Sequence, residues 1–229
     1  MIRRAFLAVV AVLALFPLAA GDVASFANLG FSPDGSRFMF GQYGLEAGTG
    51  KAWAEIAVVD TKRNDFMPGT HLSKTFETKI EAGQSPIGAL FALFADDQAK
   101  AKAAKIDYLQ NGRLIYALVD GAEVPQTLEF RDFANDDAWQ IAMLKSIKED
   151  KDRVRSSFGL SIQKIAKDGT VLRLTAGNPD VLRDGVKDYA IRNVIVGPDG
   201  HSIVLVIEKI LDNKGDPSVR YMVETLRLP

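Results

Sequence analysis

Short apolar runs, some alternating with polar residues and some continuous, recur along most of the chain and are separated by Gly, Pro, Asn and Asp. This spacing predicts strands at 25–31, 37–43, 52–60, 113–119, 126–133, 139–145, 156–166, 170–176, 189–196, 202–210 and 219–228. One stretch follows a different period. Ser85 suits an N-cap and Pro86 a first helical position, and Ile87, Leu90, Phe91 and Phe94 then recur at helical spacing. "DDQAKAKAAK" continues the helix with a polar face, giving one inserted helix over 86–108 that ends before Asn111-Gly112. The class is therefore mainly β, built of antiparallel sheets that are either sandwich-like or meanders of an incomplete propeller.

Two hairpins stand out within that pattern. "LSIQKIAKDGTVLRLT" turns at Asp168-Gly169, a pair suited to the positive φ of tight turns. "LIYALVDGAEVPQTLEF" reads as a second, with Asp120-Gly121 in its connection. The charged stretch "KEDKDRVR" (148–155) reads as a long solvated loop, and "EAGTGK" and "DNKGD" as two shorter ones. "GLEAGTGKA" lacks both the first glycine and the Ser or Thr after lysine that a phosphate loop needs.

The first twenty residues differ from the rest. Arg3 and Arg4 precede the apolar run "AFLAVVAVLALFPLAA", and small residues Ala19, Ala20 and Gly21 lead into Asp22. That layout predicts a cleaved secretory signal over residues 1–21 and a single domain over 22–229. The run is shorter than the roughly 20 apolar residues a membrane span requires, and no later segment has that length. "RRAFL" partly matches a twin-arginine signal, but Ile2 and Ala8 replace its usual polar residues, which favours the general secretion route. The expected location is secreted or periplasmic.

The two ends of the mature chain repeat one plan. "FANLGFSPDGSRFMFGQYGLEAGTGKAWAEIAVVDT" and "IRNVIVGPDGHSIVLVIEKILDNKGDPSVRYMVETL" each give a strand, Pro-Asp-Gly, a second strand, a loop and a third strand. Asn28 and Asn193 fall five residues before Pro33 and Pro198. The two meanders are expected to lie side by side and close the fold, because an unpaired terminal strand exposes a sheet edge. Asp34, Gly35, Asp199 and Gly200 are read as structural turn residues: Asp bonds nearby amides and Gly accepts positive φ. The repeated turn resembles those of periplasmic translocation-type propeller blades. The whole mature chain, through "FANLGFSPDGSRFMFGQYG", "NGRLIYALVDG", "TLEFRDF", "VRSSF", "IRNVIVGPDGHSIVLVIEK" and "RYMVETL", resembles a bacterial predicted-secreted-protein family, domain of unknown function twenty-two fifty-nine. That resemblance implies a secreted or envelope protein and carries no activity, cofactor or catalytic residue.

Composition narrows the chemistry. Hydrophobic residues make up 47% and charged residues 25% of the 229, enough for a globular core. Without Arg3 and Arg4 the chain holds 26 basic and 29 acidic residues, a net charge of −3, which gives no electrostatic reason to bind nucleic acid. Zero cysteines exclude disulfides, thiolate metal sites and cysteine nucleophiles. His71 and His201 stand alone, with no spacing for zinc or a serine triad, so no catalytic residue, metal or cofactor is assigned.

Two sets of residues remain. Glu129, Asp132, Asp136 and Asp137 cluster in "LEFRDFANDD", as a glycosidase pair would require, but strand alternation puts Arg131 beside Glu129 as a local counter-charge. Phe130, Arg131, Asp132 and Phe133 form a candidate binding patch, with Trp53, Trp139 and Tyr221 in other strands. The favoured function is an exported, non-catalytic envelope or periplasmic binding module for a protein, peptide or glycan partner. Its alternative is a carboxylate-dependent hydrolase acting on glycans.

Overall fold

The computed structural model describes residues 22–81, 83–151, 153–212 and 218–229. The signal region therefore lies outside the described residues, as does most of "DNKGD". The described residues form thirteen strands, all paired antiparallel into three sheets, and one α-helix.

The first sheet holds β1 (Ser25–Phe31), β2 (Arg37–Leu45) and β3 (Lys51–Asp60), with β4 (Asp65–Phe66) and β5 (Leu72–Lys79) sharing the far edge of β3. Helix α1 (Ile87–Ala103) follows, then β6 (Arg113–Ala117). The second sheet runs β7 (Thr127–Asp132), β8 (Asp137–Asp150), β9 (Arg153–Ile165) and β10 (Val171–Asp184) in sequential order. The third takes β11 (Val186–Val196), β12 (Ser202–Leu211) and β13 (Ser218–Arg227), with β6 added beside β11.

Alternation along β12 shows how the layers stack. Ile203, Leu205 and Ile207 pack with Trp139, Ile141, Phe158, Leu160 and Ile162 of the second sheet. Val204 and Val206 pack on the other side with Phe31, Phe38, Phe40, Ala57 and Val59 of the first. The third sheet is thus the middle layer, buried on both faces, which is why β12 reads as an unbroken apolar run. The outer face of the first sheet presents Met39, Ala54, Ile56 and Val58 to Ala89, Leu90, Leu93 and Ala101 of α1. The result is a helix and three sheets in four layers. Truncating a side chain as deep as Leu205 to Ala costs about 2–5 kcal/mol.

Several expectations change. The two terminal meanders do meet, but face to face as neighbouring layers; among the described residues the short bridge of Val23 to Val219 is their backbone pairing at an edge. The 148–155 loop is instead the tight end of the β8–β9 ladder, whose pairing runs out to Asp150 and Arg153, with Lys148 to Lys151 and Arg153 in solvent and Val154 and Arg155 partly buried. β6 and β7 form no hairpin: Asp120-Gly121 connects strands in different sheets. β5 escaped the pattern because only Leu72 and Phe76 of its residues are partly buried.

The helix stops at Ala103, before Tyr108. Lys105 takes φ 56°, Ile106 N–H donates to the Ala101 carbonyl and Lys105 N–H to that of Lys102, a left-handed terminus without the usual glycine. Its buried stripe also differs: Leu90 and Leu93 face the sheet, whereas Phe91 is 62% exposed. Small side chains, Ala89, Ala101 and Ala104, bring the helix close to β2 and β3.

Candidate functional site

The two Pro-Asp-Gly segments form turns that touch each other, Ser202 Oγ donating to the Gly35 carbonyl. Asp34 accepts from Ser32 Oγ (2.6 Å), Ser36 Oγ (2.8 Å) and Ser36 N (3.1 Å), which holds its carboxyl down to about 2. Asp199 accepts from Ser202 N (2.9 Å), Ser202 Oγ (2.9 Å) and the Arg227 guanidinium (2.8 Å). Both carboxylates are occupied with fixing their own turns.

The 129–137 region is dispersed among local partners. Asp132, only 2% exposed, is gripped by both terminal nitrogens of Arg113, one of them at 2.9 Å. Asp137 pairs with Lys164 at 2.8 Å. Arg131 reaches Asp136 (2.6 Å) rather than Glu129, whose contact is the Gln140 amide (3.3 Å). Phe130 packs inward against Tyr116 and Trp139, with ring centroids 5.2 and 6.3 Å away. Of the four residues of the sequence-based patch, Arg131 and Phe133 face solvent, the latter 87% exposed. Trp53, Trp139 and Tyr221 are buried in the cores. His201 is an exposed turn residue.

A cleft of about 520 Å³ opens elsewhere, where the edge strand of the middle sheet leaves room between its two neighbours. Its floor is Tyr221–Glu224 of β13 with Lys209 of β12. One wall comes from the first sheet: Glu55, Asn64, Asp65, Phe66 and His71. The other is β10, with Gly177, Asn178 and Arg183. The volume is within the usual range for small-ligand sites.

Local chemistry places each wall residue. Asn64 sits at φ 52°, just after β3, and its amide reaches across to β13: Oδ1 accepts from Thr225 N (2.7 Å) and Nδ2 donates to the buried Glu224 carboxylate. Gln42 does the same two rungs earlier, its Oε1 accepting from Tyr221 N (2.8 Å) and its Nε2 donating to the Tyr221 carbonyl (3.1 Å). These amides take the place of a neighbouring strand. His71 pairs with Glu55 (2.7 Å) and stacks flat on Phe66, centroids 4.8 Å apart. The β10 ladder breaks between Asn178 and Arg183, freeing Arg183 to lie over Phe158 at 5.1 Å and to approach Glu224 at 3.9 Å.

Electrostatics single out Lys209. Burial lowers its pKa; the Glu55 carboxylate works against that, and Arg183 and Arg220 add to it. Burial, and next the Glu208 carboxylate, push the Tyr221 phenol up to about 12, so it is a neutral hydroxyl at physiological pH. Among the described residues no group of three or more carboxylates or histidines is placed to hold a metal ion. The arrangement can bind charged and amide groups.

The sequence reading missed this cleft, because its residues come from three separate sheets. One signal was present: Lys209 continues the apolar face of Ile203, Leu205 and Ile207, two residues beyond it.

No helix among the described residues is long and apolar enough to cross a membrane, a statement that leaves β-barrels aside. A comparison with curated proteins finds no match. The family model described as "Predicted secreted protein (DUF2259)" matches residues 39–227, taking in β3 to β13 and every cleft residue, and the chain belongs to that family of exported proteins.

Proposed function

We propose that the protein is an exported, non-catalytic binding module and that its ligand occupies the cleft between the first and second sheets over β13. The observation that carries this reading is the Lys209 ammonium, half-buried in a cleft of ligand size and without a hydrogen bond or ion pair among the described residues. Buried donors are normally satisfied, so a free one in a concave site is what a ligand would complete. The periplasm is the proposed compartment and general secretion the proposed route, on the strength of the first twenty residues.

Native mass spectrometry tests this. The mature protein, incubated with a desalted extract of the producing cell's envelope, is expected to retain a small molecule or peptide that Asn178→Trp, which fills the cleft, does not retain. Release of that ligand chemically unchanged agrees with binding. Recovery of a cleaved product, or retention unaffected by Asn178→Trp, would overturn the proposal.

A further inference from the structure

Two features of the cleft specify a ligand more closely than its volume does. The first is the charge on Lys209. An ammonium offers three donors and no acceptor, and this one makes no hydrogen bond or close ion pair among the described residues, although the Glu55 carboxylate acts on it from farther away. Three carboxylates line the same cleft but are engaged. Glu55 bonds His71 and Gln42, Glu224 bonds Asn64 and lies near Arg183, and Asp65 accepts from the Phe66 amide. What the site lacks is therefore an acceptor for the Lys209 ammonium, and an acidic group would supply one together with the opposite charge.

The second is a gap in the edge of β13. Alternate residues of an antiparallel strand turn both backbone groups the same way. On this strand Val219, Tyr221 and Thr225 turn outward, as their bonds to Asp22 and Ala24, to Gln42 and to Asn64 show. No register shift interrupts the pairing with β12, so Val223 turns outward too. It lines the cleft, and neither its N–H nor its carbonyl is bonded on that side by a described residue. Side-chain amides close the edge on both flanks and leave one rung open.

Resting on the binding reading above, we infer that the cleft takes an extended acidic peptide, whose main chain pairs with the N–H and C=O of Val223 and whose carboxylate meets Lys209. Strand addition of this kind draws affinity from main-chain bonds and specificity from neighbouring side-chain contacts. Here the charge on Lys209 selects the acidic group, and Met222 and the free face of Phe66 offer apolar contact.

The test uses the mature protein and three immobilised sets: random hexapeptides with one fixed Glu, the same set with Gln in its place, and oligogalacturonides as anionic glycans. The Glu set is expected to bind at least about ten-fold more tightly than the Gln set, the factor that a charge-assisted bond of about 1.4 kcal/mol gives. Lys209→Met should erase that preference and Lys209→Arg keep it, both variants melting as cooperatively as the parent. N-methylation along the best hexapeptide should find one amide whose loss costs a similar factor. Equal binding of the Glu and Gln sets overturns the inference, as does a peptide without a methylation-sensitive amide. So does capture of oligogalacturonide alone, or of none of the three sets. In these last two cases the broader binding reading still stands if native mass spectrometry finds a retained ligand, and falls if it does not.

Discussion

Ser202 Oγ donates to the Gly35 carbonyl at 2.8 Å, joining two turns that lie 167 residues apart in the chain. Thr61 Oγ1 donates to the same carbonyl at 2.7 Å, so one turn of the first sheet is clamped by both layers. Gly35 is at φ +67°, and a Cβ there would lie 2.4 Å from the Asp199 carboxyl carbon. The repeat thus serves as an internal joint: each copy supplies one half of a contact between sheets.

That joint gives a paired mutational test. Gly35→Ala meets both the strained backbone and the Asp199 carboxylate, and should cost about 3 kcal/mol or more. Gly200→Ala, at φ +71° with nothing within 4 Å of the new methyl, should cost only about 1 kcal/mol. For a domain of this size the two melting points should differ by at least about 4 °C. Equal losses in a thermal melt would mean that the turns do not press on each other.

Asp34 should titrate far below an ordinary aspartate. Its hydrogen bonds to Ser32 and Ser36 favour the charged form and set its pKa at about 2. A depressed folded-state pKa gives stability that is present above about pH 4, the unfolded value, and is lost as pH falls toward 2. The residue is exposed, so the gain is small. Carboxyl NMR should place its midpoint near 2, and Asp34→Asn should flatten stability between pH 4 and 2. A midpoint close to 4 contradicts the bonding described.

Within the acidic cluster, Asp132 and Glu129 should behave oppositely. Asp132→Asn strands the half-buried Arg113 guanidinium and should cost about 2–3 kcal/mol, some of the full penalty being relieved by solvent at Arg113. Glu129→Gln, exposed and bonded among the described residues to Gln140, should stay within about 0.5 kcal/mol. Urea unfolding of both variants checks this; equal midpoints would remove the structural role of Asp132.

Lys209→Met should melt at the same temperature as the parent or up to about 3 °C higher, because it removes a desolvated charge that makes no hydrogen bond or close ion pair among the described residues. In the parent, a folded pKa below the unfolded one means that stability rises as pH climbs from the folded value toward 10.5. The groups coupled to it there are Glu55, Arg183 and Arg220. A clear loss of stability in Lys209→Met would show that the ammonium holds the fold together.

Export should leave a mature chain that begins at Gly21 or Asp22, read by intact mass of protein from the secreted or periplasmic fraction. Arg3→Lys with Arg4→Lys should leave export unchanged. Its abolition would assign the chain to the twin-arginine route.

By itself the sequence determined whatever is decided within a few residues. The Asp168-Gly169 hairpin, the two Pro-Asp-Gly turns and most strands follow from turn chemistry and period-two alternation, which neighbours in the chain fix on their own. The expectation of export is local in the same way, since it rests on one linear apolar run, and the family match supports export while the intact mass would test the leader. Tertiary structure decided which strands share a sheet, and so Asp120-Gly121 connects two sheets although its local signal is that of a hairpin. It also decided the partners of charged groups. Arg131 pairs with Asp136 instead of the alternating Glu129, and Arg113 neutralises Asp132 from another sheet. The cleft is the extreme case. Lys209, Arg183, Asn64 and Val223 lie on four different strands or turns, and their charges and open backbone groups acquire meaning only where the outer sheets stand apart over the edge of the middle one. Hydrogen bonds and ion pairs act over a few ångströms of space, and only the packing of layers sets which distant residues come within that range.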